Sequence, residues 1–313
     1  MSDSSFEVLA KSDPQVSLQQ HIEEGLQILM RLKTIFPNVP IPQRDEFWEL
    51  VRLCIIFHDL GKVHSEFQKM LRKLQHSWKR QRHELFSLPF ISASDLSEEK
   101  KEIVTLIVAF HHKYLDDLLK ITENHYKQPQ NKLWGIDIDD GRLDYKTECE
   151  KHLNLMSITS LLKEYGIKLS SMNYVNPYQA VASFKRENIK FNDDKFWRLL
   201  LFLGAFKQCD HLASASIFNI NTLDSSDFSF LQKKRANLIE KGCDFYYHQL
   251  EASEKVGNVI LTAPTGSGKT ETSLLWLKKQ FETIGQGRVF YILPFTASIN
   301  AMYERLEIGR AHV

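Results

Sequence analysis

The sequence predicts a mainly helical protein that gives way, near Leu231, to a short α/β segment. Three observations carry this. Four stretches of the first two-thirds repeat apolar residues at i, i+3 and i+4, the period of an amphipathic helix. "GNVILTAPTGSGKTETSLLWLKKQF" then reads as an apolar strand, a glycine-rich loop and a helix, and "RVFYILPFTASINAMYERL" repeats that order. Strands alternating with helices imply a parallel sheet in a separate domain.

The helices follow in order. Ser17-x-x-Gln20 is a capping-box signature, and Leu18, Ile22, Leu26 and Leu29 recur behind it at helical spacing. Phe47, Leu50, Val51, Cys54 and Ile55 form the inward stripe of a second helix, which His58 continues and Gly61 is expected to stop. "SEEKKEIVTLIVAFHH" opens on acidic residues that suit a helix N-terminus, and its apolar stripe runs into His111 and His112. "DDKFWRLLLFLGAFKQCDHLAS" turns Phe196, Leu199, Leu200, Leu203 and Phe206 inward, with Asp210 four residues beyond. Lys120 to Asn176 carry weaker periodicity and are expected as peripheral helices and loops. The division expected is a helical domain over 1–220, a linker over 221–240 and the start of an α/β domain over 241–313.

Composition excludes several classes. The 313 residues carry a net charge of +1, which favours no partner by itself. Four scattered cysteines without a C-x-x-C pair do not make a disulfide framework. The polar N-terminus lacks the apolar core of a signal peptide, and "FWRLLLFLGAF" is too short to cross a bilayer. A cytoplasmic, monomeric protein without membrane contact is expected.

The chemistry gathers at helix ends. His58, Asp59, His111, His112 and Asp210 each lie at or near the end of an apolar stripe, and an unpaired charge there is costly to bury. One such residue reads as a cap or a satisfied core histidine. The combination asks for a shared partner, and a metal is one.

Their order in the chain is His21, His58-Asp59, His83, His111-His112 and Asp210. This resembles the HD phosphohydrolase superfamily, and the paired histidines with the "CDHLAS" context look like the HD nuclease domain of CRISPR-associated type I nuclease–helicases. The resemblance covers roughly Ser17 to Ser216. It implies that His21, His58, Asp59 and Asp210 hold one ion while Asp59, His83, His111 and His112 hold a second, with Asp59 as bridge. A carboxylate with two oxygens can span two cations, whereas a neutral imidazole serves one. Two ions about 3.5–4 Å apart can activate a water and stabilise a leaving oxygen. Imidazole-rich ligands favour Mn, Fe, Ni, Co or Zn. Lys62 is expected to neutralise phosphate charge or to be a solvated lysine, and Glu84 to orient a ligand or to be a solvated helix charge. The basic stretch Lys62–Arg82, with Phe67 and Trp78 interleaved, reads either as a surface for single-stranded nucleic acid or as a basic helix whose aromatics enter the core.

"APTGSGKT", Ala263 to Thr270, is a phosphate loop in its strand–loop–helix context. Thr265, Gly266, Ser267, Gly268, Lys269 and Thr270 would bind phosphates and Mg²⁺, and Gln249 looks like the adenine-reading glutamine of superfamily-two helicases. The segment is thus expected as an incomplete RecA-like start that takes ATP and Mg²⁺ in a longer protein. No Asp-Glu box follows within the 313 residues, so helicase or ATPase activity is not expected of this segment.

The function expected is a metal-dependent nuclease degrading single-stranded DNA in type I CRISPR interference, recruited by an RNA-guided surveillance complex. Two alternatives stand beside it: an HD phosphohydrolase acting on nucleotides or cyclic nucleotides, and a non-catalytic module that binds nucleic acid or a partner.

Overall fold

A computed structural model describes residues 7–37, 39, 41, 43–78, 82–112, 145–172, 174 and 194–311. Expectations for 120–144 and for the basic residues 79–81 lie outside that set. The chain divides into two compact units, Met1–Phe218 and Asn219–Val313. Among the described residues no helix is long and apolar enough to cross a membrane.

Among its described residues the first unit is mainly helical and carries one short hairpin, β1 (Leu9–Ser12) against β2 (Gln15–Ser17), which the sequence pattern did not announce. The helices among its described residues are α1 (Leu18–Ile35), α2 (Arg44–Phe57), α3 (Ser65–Leu71), α4 (His83–Ala93), α5 (Glu98–Phe110), α6 (Tyr145–His152), α7 (Leu155–Glu164) and α8 (Asp194–Ser214). Ser17 caps α1 by accepting the Gln20 N–H at 3.1 Å. The Gln20 side chain reaches Glu24 rather than back to Ser17, so the expected capping box is half formed. Helices α1, α2 and α8 pack on one another, and α4 and α5 pack on α2. Phe57, Phe86, Phe90 and Phe206 are wholly enclosed, with Ile22, Ile28 and Leu50 beside them. Each such side chain contributes about 1.5–3 kcal/mol by leaving water.

Helix α4 explains how a nearly all-buried segment keeps its polar groups satisfied. Pro89 has no N–H to offer the carbonyl of Leu85 one turn earlier. That carbonyl instead accepts the Tyr145 hydroxyl at 2.7 Å, which fastens α6 onto α4.

Gly61 does not end α2 as a left-handed cap. Helix α2 stops at Phe57, and Gly61 lies in a 3₁₀ turn over Leu60–Val63. A β-carbon on Gly61 would stand 1.9 Å from the His83 carbonyl oxygen. Glycine is needed there because α4 approaches the backbone, not because the turn needs positive φ.

The second unit comprises β3 (Leu223–Asp224), a 3₁₀ turn (Ser225–Phe228), α9 (Ser229–Glu240), α10 (Tyr247–Ala252), α11 (Lys269–Ile284), β4 (Gln286–Gly287) and α12 (Thr296–Ala311). Residues 221–240, expected as a linker, hold the first of these elements. Phe228 and Leu231 enter an apolar core with Phe245, Leu274, Leu275 and Phe281. The expected parallel strands, at 258–262 and in the "RVFYIL" segment, are not formed, and the one sheet described in this unit pairs β3 with β4 antiparallel. A strand persists only with a hydrogen-bonded neighbour and a covered face. Ile260 and Ile292 are 97% and 89% exposed, so nothing among the described residues supplies that cover.

Candidate metal centre and phosphate loop

Helix ends carry the polar cluster of the first unit. His21 lies in the first turn of α1, His58 caps α2, and Asp59 follows it. His83 opens α4, His111 caps α5, and Asp210 lies in the last turns of α8. Five of these side chains, with His112 beside His111, fall into two groups, within each of which candidate ligand atoms lie within 4.8 Å of one another: His21, His58 and Asp210 in one, His83, His111 and His112 in the other.

Asp59 stands between the groups. Its Oδ2 is 3.4 Å from His21 Nε2 and 3.3 Å from His58 Nε2, while its Oδ1 is 2.9 Å from His83 Nε2. Asp210 Oδ1 faces the same two imidazoles as Oδ2 of Asp59, at 3.4 and 3.6 Å. His112 Nε2 lies 3.3 Å from His83 Nε2 and is the exposed member, so the second group opens to solvent.

The backbone fixes which nitrogen each buried imidazole presents. His58 Nδ1 bonds the Ile55 carbonyl at 2.8 Å, and His111 Nδ1 bonds the Val108 carbonyl at 2.7 Å. A carbonyl only accepts, so Nδ1 carries the proton and Nε2 of both rings turns into the cluster. Both Nε2 atoms are buried without a hydrogen bond of normal geometry. Such orphaned nitrogens, one beside the Asp59 and Asp210 carboxylates and the other grouped with His83 and His112, fit a cation.

Electrostatics agree. Burial alone would lower the His58 imidazole, but the Asp59 and Asp210 carboxylates outweigh it and push it up to about 10. Burial would raise both carboxyls, yet His58 and Lys62 hold Asp59 well below the usual range, and His21 and His58 hold Asp210 below it. His111 goes the other way: burial, then His112 and His58, keep it neutral. A field that holds a proton on His58 near neutral pH favours a divalent cation in the same place.

Lys62 belongs to this centre, though its charge is engaged. Its Nζ is 2.6 Å from Asp59 Oδ2 and 3.1 Å from the Ala10 carbonyl of β1. Glu84 is buried and pairs with Arg82, while its nearest approach to His83 Nδ1 is 3.9 Å, too far for a hydrogen bond. The aromatics of the basic stretch are in the core. Phe67 packs 5.4 Å from the His83 ring, and Trp78 lies 4.9 Å from His64 and 5.7 Å from Phe86, so neither is free to stack on a base. Sequence reasoning passed over Ser87, a fully buried residue whose hydroxyl donates to the His58 carbonyl and accepts the Gly61 N–H, each at 2.8 Å. Its signal was weak: one serine inside an apolar helix fits no motif.

In the second unit the phosphate loop precedes α11. Gly266 and Gly268 have φ of +82° and +75°, and a β-carbon on Gly268 would meet Gln249 Nε2 at 2.4 Å. Gln249 donates to the Gly268 carbonyl at 3.2 Å and accepts the Tyr246 N–H at 2.8 Å, so it is tied to the loop. Lys269 Nζ folds back on the carbonyls of Ala263 and Pro264, at 3.0 and 2.8 Å. Thr265, Gly266, Gly268, Lys269 and Thr270 line a cavity of about 780 Å³ together with Phe245 and Gln249. Ser267 does not line it.

Comparison with known proteins adds to this geometry. The DEAD/DEAH box helicase family pattern matches residues 246–310. That match stands partly against the expectation that this segment lacks helicase or ATPase activity. The chain is 23% identical to the CRISPR-associated nuclease/helicase Cas3 of Methanothermobacter thermautotrophicus, over 96% of this chain and 40% of that protein. It is 24% identical to a putative CRISPR-associated nuclease/helicase Cas3 of Methanocaldococcus jannaschii, over 80% of this chain and 37% of that protein. A stretch of 57 residues is 40% identical to the CRISPR-associated endonuclease/helicase Cas3 of Escherichia coli, covering 18% of this chain and 6% of that protein. The chain therefore spans about two-fifths of the length of the first two of these relatives. By these matches the chain is similar to CRISPR-associated nuclease/helicases, and its residues 246–310 match the DEAD/DEAH box helicase pattern.

Proposed function

We propose that the first unit is a metal-dependent nuclease that degrades single-stranded DNA in type I CRISPR interference. One observation carries the reading: the two oxygens of Asp59 face two separate groups of ligand atoms, Oδ2 toward His21 and His58 and Oδ1 toward His83. His21, His58, Asp59 and Asp210 would hold one divalent cation, and Asp59, His83, His111 and His112 the other. Mn, Fe, Co, Ni or Zn suit this imidazole-rich set.

When bound, two such cations supply the charge that activates a water and stabilises the leaving oxygen of a phosphodiester. The chain's own residues do the rest. The Ile55 and Val108 carbonyls hold His58 and His111 in one tautomer. Lys62 fixes Asp59 through Oδ2 and brings a positive charge to the site, where a phosphate would meet it. Exposed His112 marks the side from which a strand would enter. In the second unit the phosphate loop would take ATP with Mg²⁺, Lys269 leaving its two carbonyls for the phosphates. The match of residues 246–310 to a DEAD/DEAH box helicase pattern supports a nucleic-acid strand as substrate over nucleotides. The CRISPR names of the relatives support recruitment by an RNA-guided surveillance complex.

The test compares substrates. Purified protein with Mn²⁺, Co²⁺ or Ni²⁺ is offered labelled single-stranded DNA, duplex DNA, mononucleotides and cyclic nucleotides. The proposal expects the single strand to be degraded fastest. Phosphate released from nucleotides with DNA left intact would make the protein an HD phosphohydrolase instead. Hydrolysis of neither substrate, with no cation bound, would make it a binding module.

A further inference from the structure

We propose that Ser87 is a positioning residue that sets the spacing between the Asp59 turn and His83, and so couples the two ligand groups of the metal centre. The inference rests on the two-cation reading above.

The hydroxyl of Ser87 is fully buried and both its functions are spent on one turn: it donates to the His58 carbonyl and accepts the Gly61 N–H, each at 2.8 Å. Ser87 sits one helical turn after His83 on α4. At the level of His83 itself the same turn touches α4 again, because the Cα face of Gly61 is pressed on the His83 carbonyl. The turn that carries Asp59 is therefore held to α4 at two heights, by packing at His83 and by hydrogen bonds at Ser87. Asp59 and Leu60 lie between these anchors with little room to shift. The 2.9 Å approach of Asp59 Oδ1 to His83 Nε2 is the result.

The two ligand groups ride on different parts of the fold. His21, His58 and Asp210 come from α1, α2 and α8, which pack on one another. His83, His111 and His112 come from the start of α4 and the end of α5. Asp59 must serve both, and Ser87 is a polar tie from α4 to the end of α2. Without its hydroxyl, the His58 carbonyl and the Gly61 N–H lose a buried partner, and the turn is free to move against α4. The site that straddles this joint, Asp59 with His83, His111 and His112, suffers more than the site built within the α1–α2–α8 group. A serine that only filled space in α4 would not discriminate between them.

Titration of the whole chain with Mn²⁺, followed by metal analysis after equilibrium dialysis, tests this beside thermal melting. Wild type is expected to bind two ions. Ser87→Ala is expected to keep one at wild-type affinity and to bind the second about 10–100-fold more weakly, the range for loss of a group that supports ligands. Ser87→Cys, close in shape with a weaker hydrogen-bonding thiol, gives the same order with a smaller loss and serves if the alanine variant does not fold. A lower melting temperature with both affinities unchanged, or an equal loss at both sites, overturns the proposal. Fewer than two ions in wild type overturns the two-cation reading, and this inference with it.

Discussion

Asp59 Oδ1 lies 2.9 Å from His83 Nε2, although Asp59 follows the end of α2, His83 opens α4, and the basic stretch of the chain separates them. The other oxygen of Asp59 faces His21 and His58. A single carboxylate thus joins both ligand groups, and its loss should be felt by both. Asp59→Asn, which keeps the shape and removes the charge, is expected to weaken binding of both cations by more than about 100-fold. Isothermal titration with Mn²⁺ reads this. Loss of one ion only would show that Asp59 does not bridge.

Variants at the edges of the two groups separate them. Asp210→Asn touches the His21–His58 group, and His112→Ala removes the exposed member of the other. Each is expected to lower the metal content from two ions to one per chain, with circular dichroism unchanged. The double variant is expected to bind none.

Gly61→Ala tests the close approach of the Asp59 turn to α4. The new β-carbon would overlap the His83 carbonyl, a backbone group that cannot swing aside. Overpacking usually costs 1–3 kcal/mol, and this contact belongs at about 3 kcal/mol or above. A urea denaturation series reads the loss, and a variant as stable as wild type would contradict the contact.

Glu66 gives a pH signature away from the metal centre. Lys69, then the backbone N–H and hydroxyl of Ser77, hold its carboxyl down at about 2 from an ordinary 4.5. A folded value below the unfolded one means the stabilisation is complete above about 4.5 and is lost as pH falls toward 2. Glu66→Gln is expected to cost about 1–2 kcal/mol at pH 6 and almost nothing at pH 2. An equal difference at both pH values would contradict this account.

Much of the clustering of these polar side chains was legible in the sequence because polar residues interrupted apolar stripes at helix ends, and helix ends meet when helices pack. His58, His111 and Asp210 are of this kind. His83 was legible only through the order of the motif, since no stripe precedes it. Ser87 was not legible: a buried hydroxyl that bridges a carbonyl and an N–H twenty-six residues away leaves no periodic trace. Gly61 was assigned the wrong duty, since sequence shows that a β-carbon is missing but not what presses on the gap. Phe67 and Trp78 left two readings open because basic neighbours do not report where an aromatic ring points. The strands expected at 258–262 and in the "RVFYIL" segment are absent for a further reason. Apolar, β-branched composition describes a strand that has neighbours, and the described residues provide none.

Cleavage of a labelled DNA single strand across a Mn²⁺ titration, by wild type and by Asp59→Ala side by side, tests the central claim most directly. The account predicts cleavage that rises with Mn²⁺, stops with chelator and falls by more than about 100-fold in Asp59→Ala. A wild-type protein that binds its cations yet leaves the strand intact, or an Asp59→Ala variant that cuts as well as wild type, would contradict it.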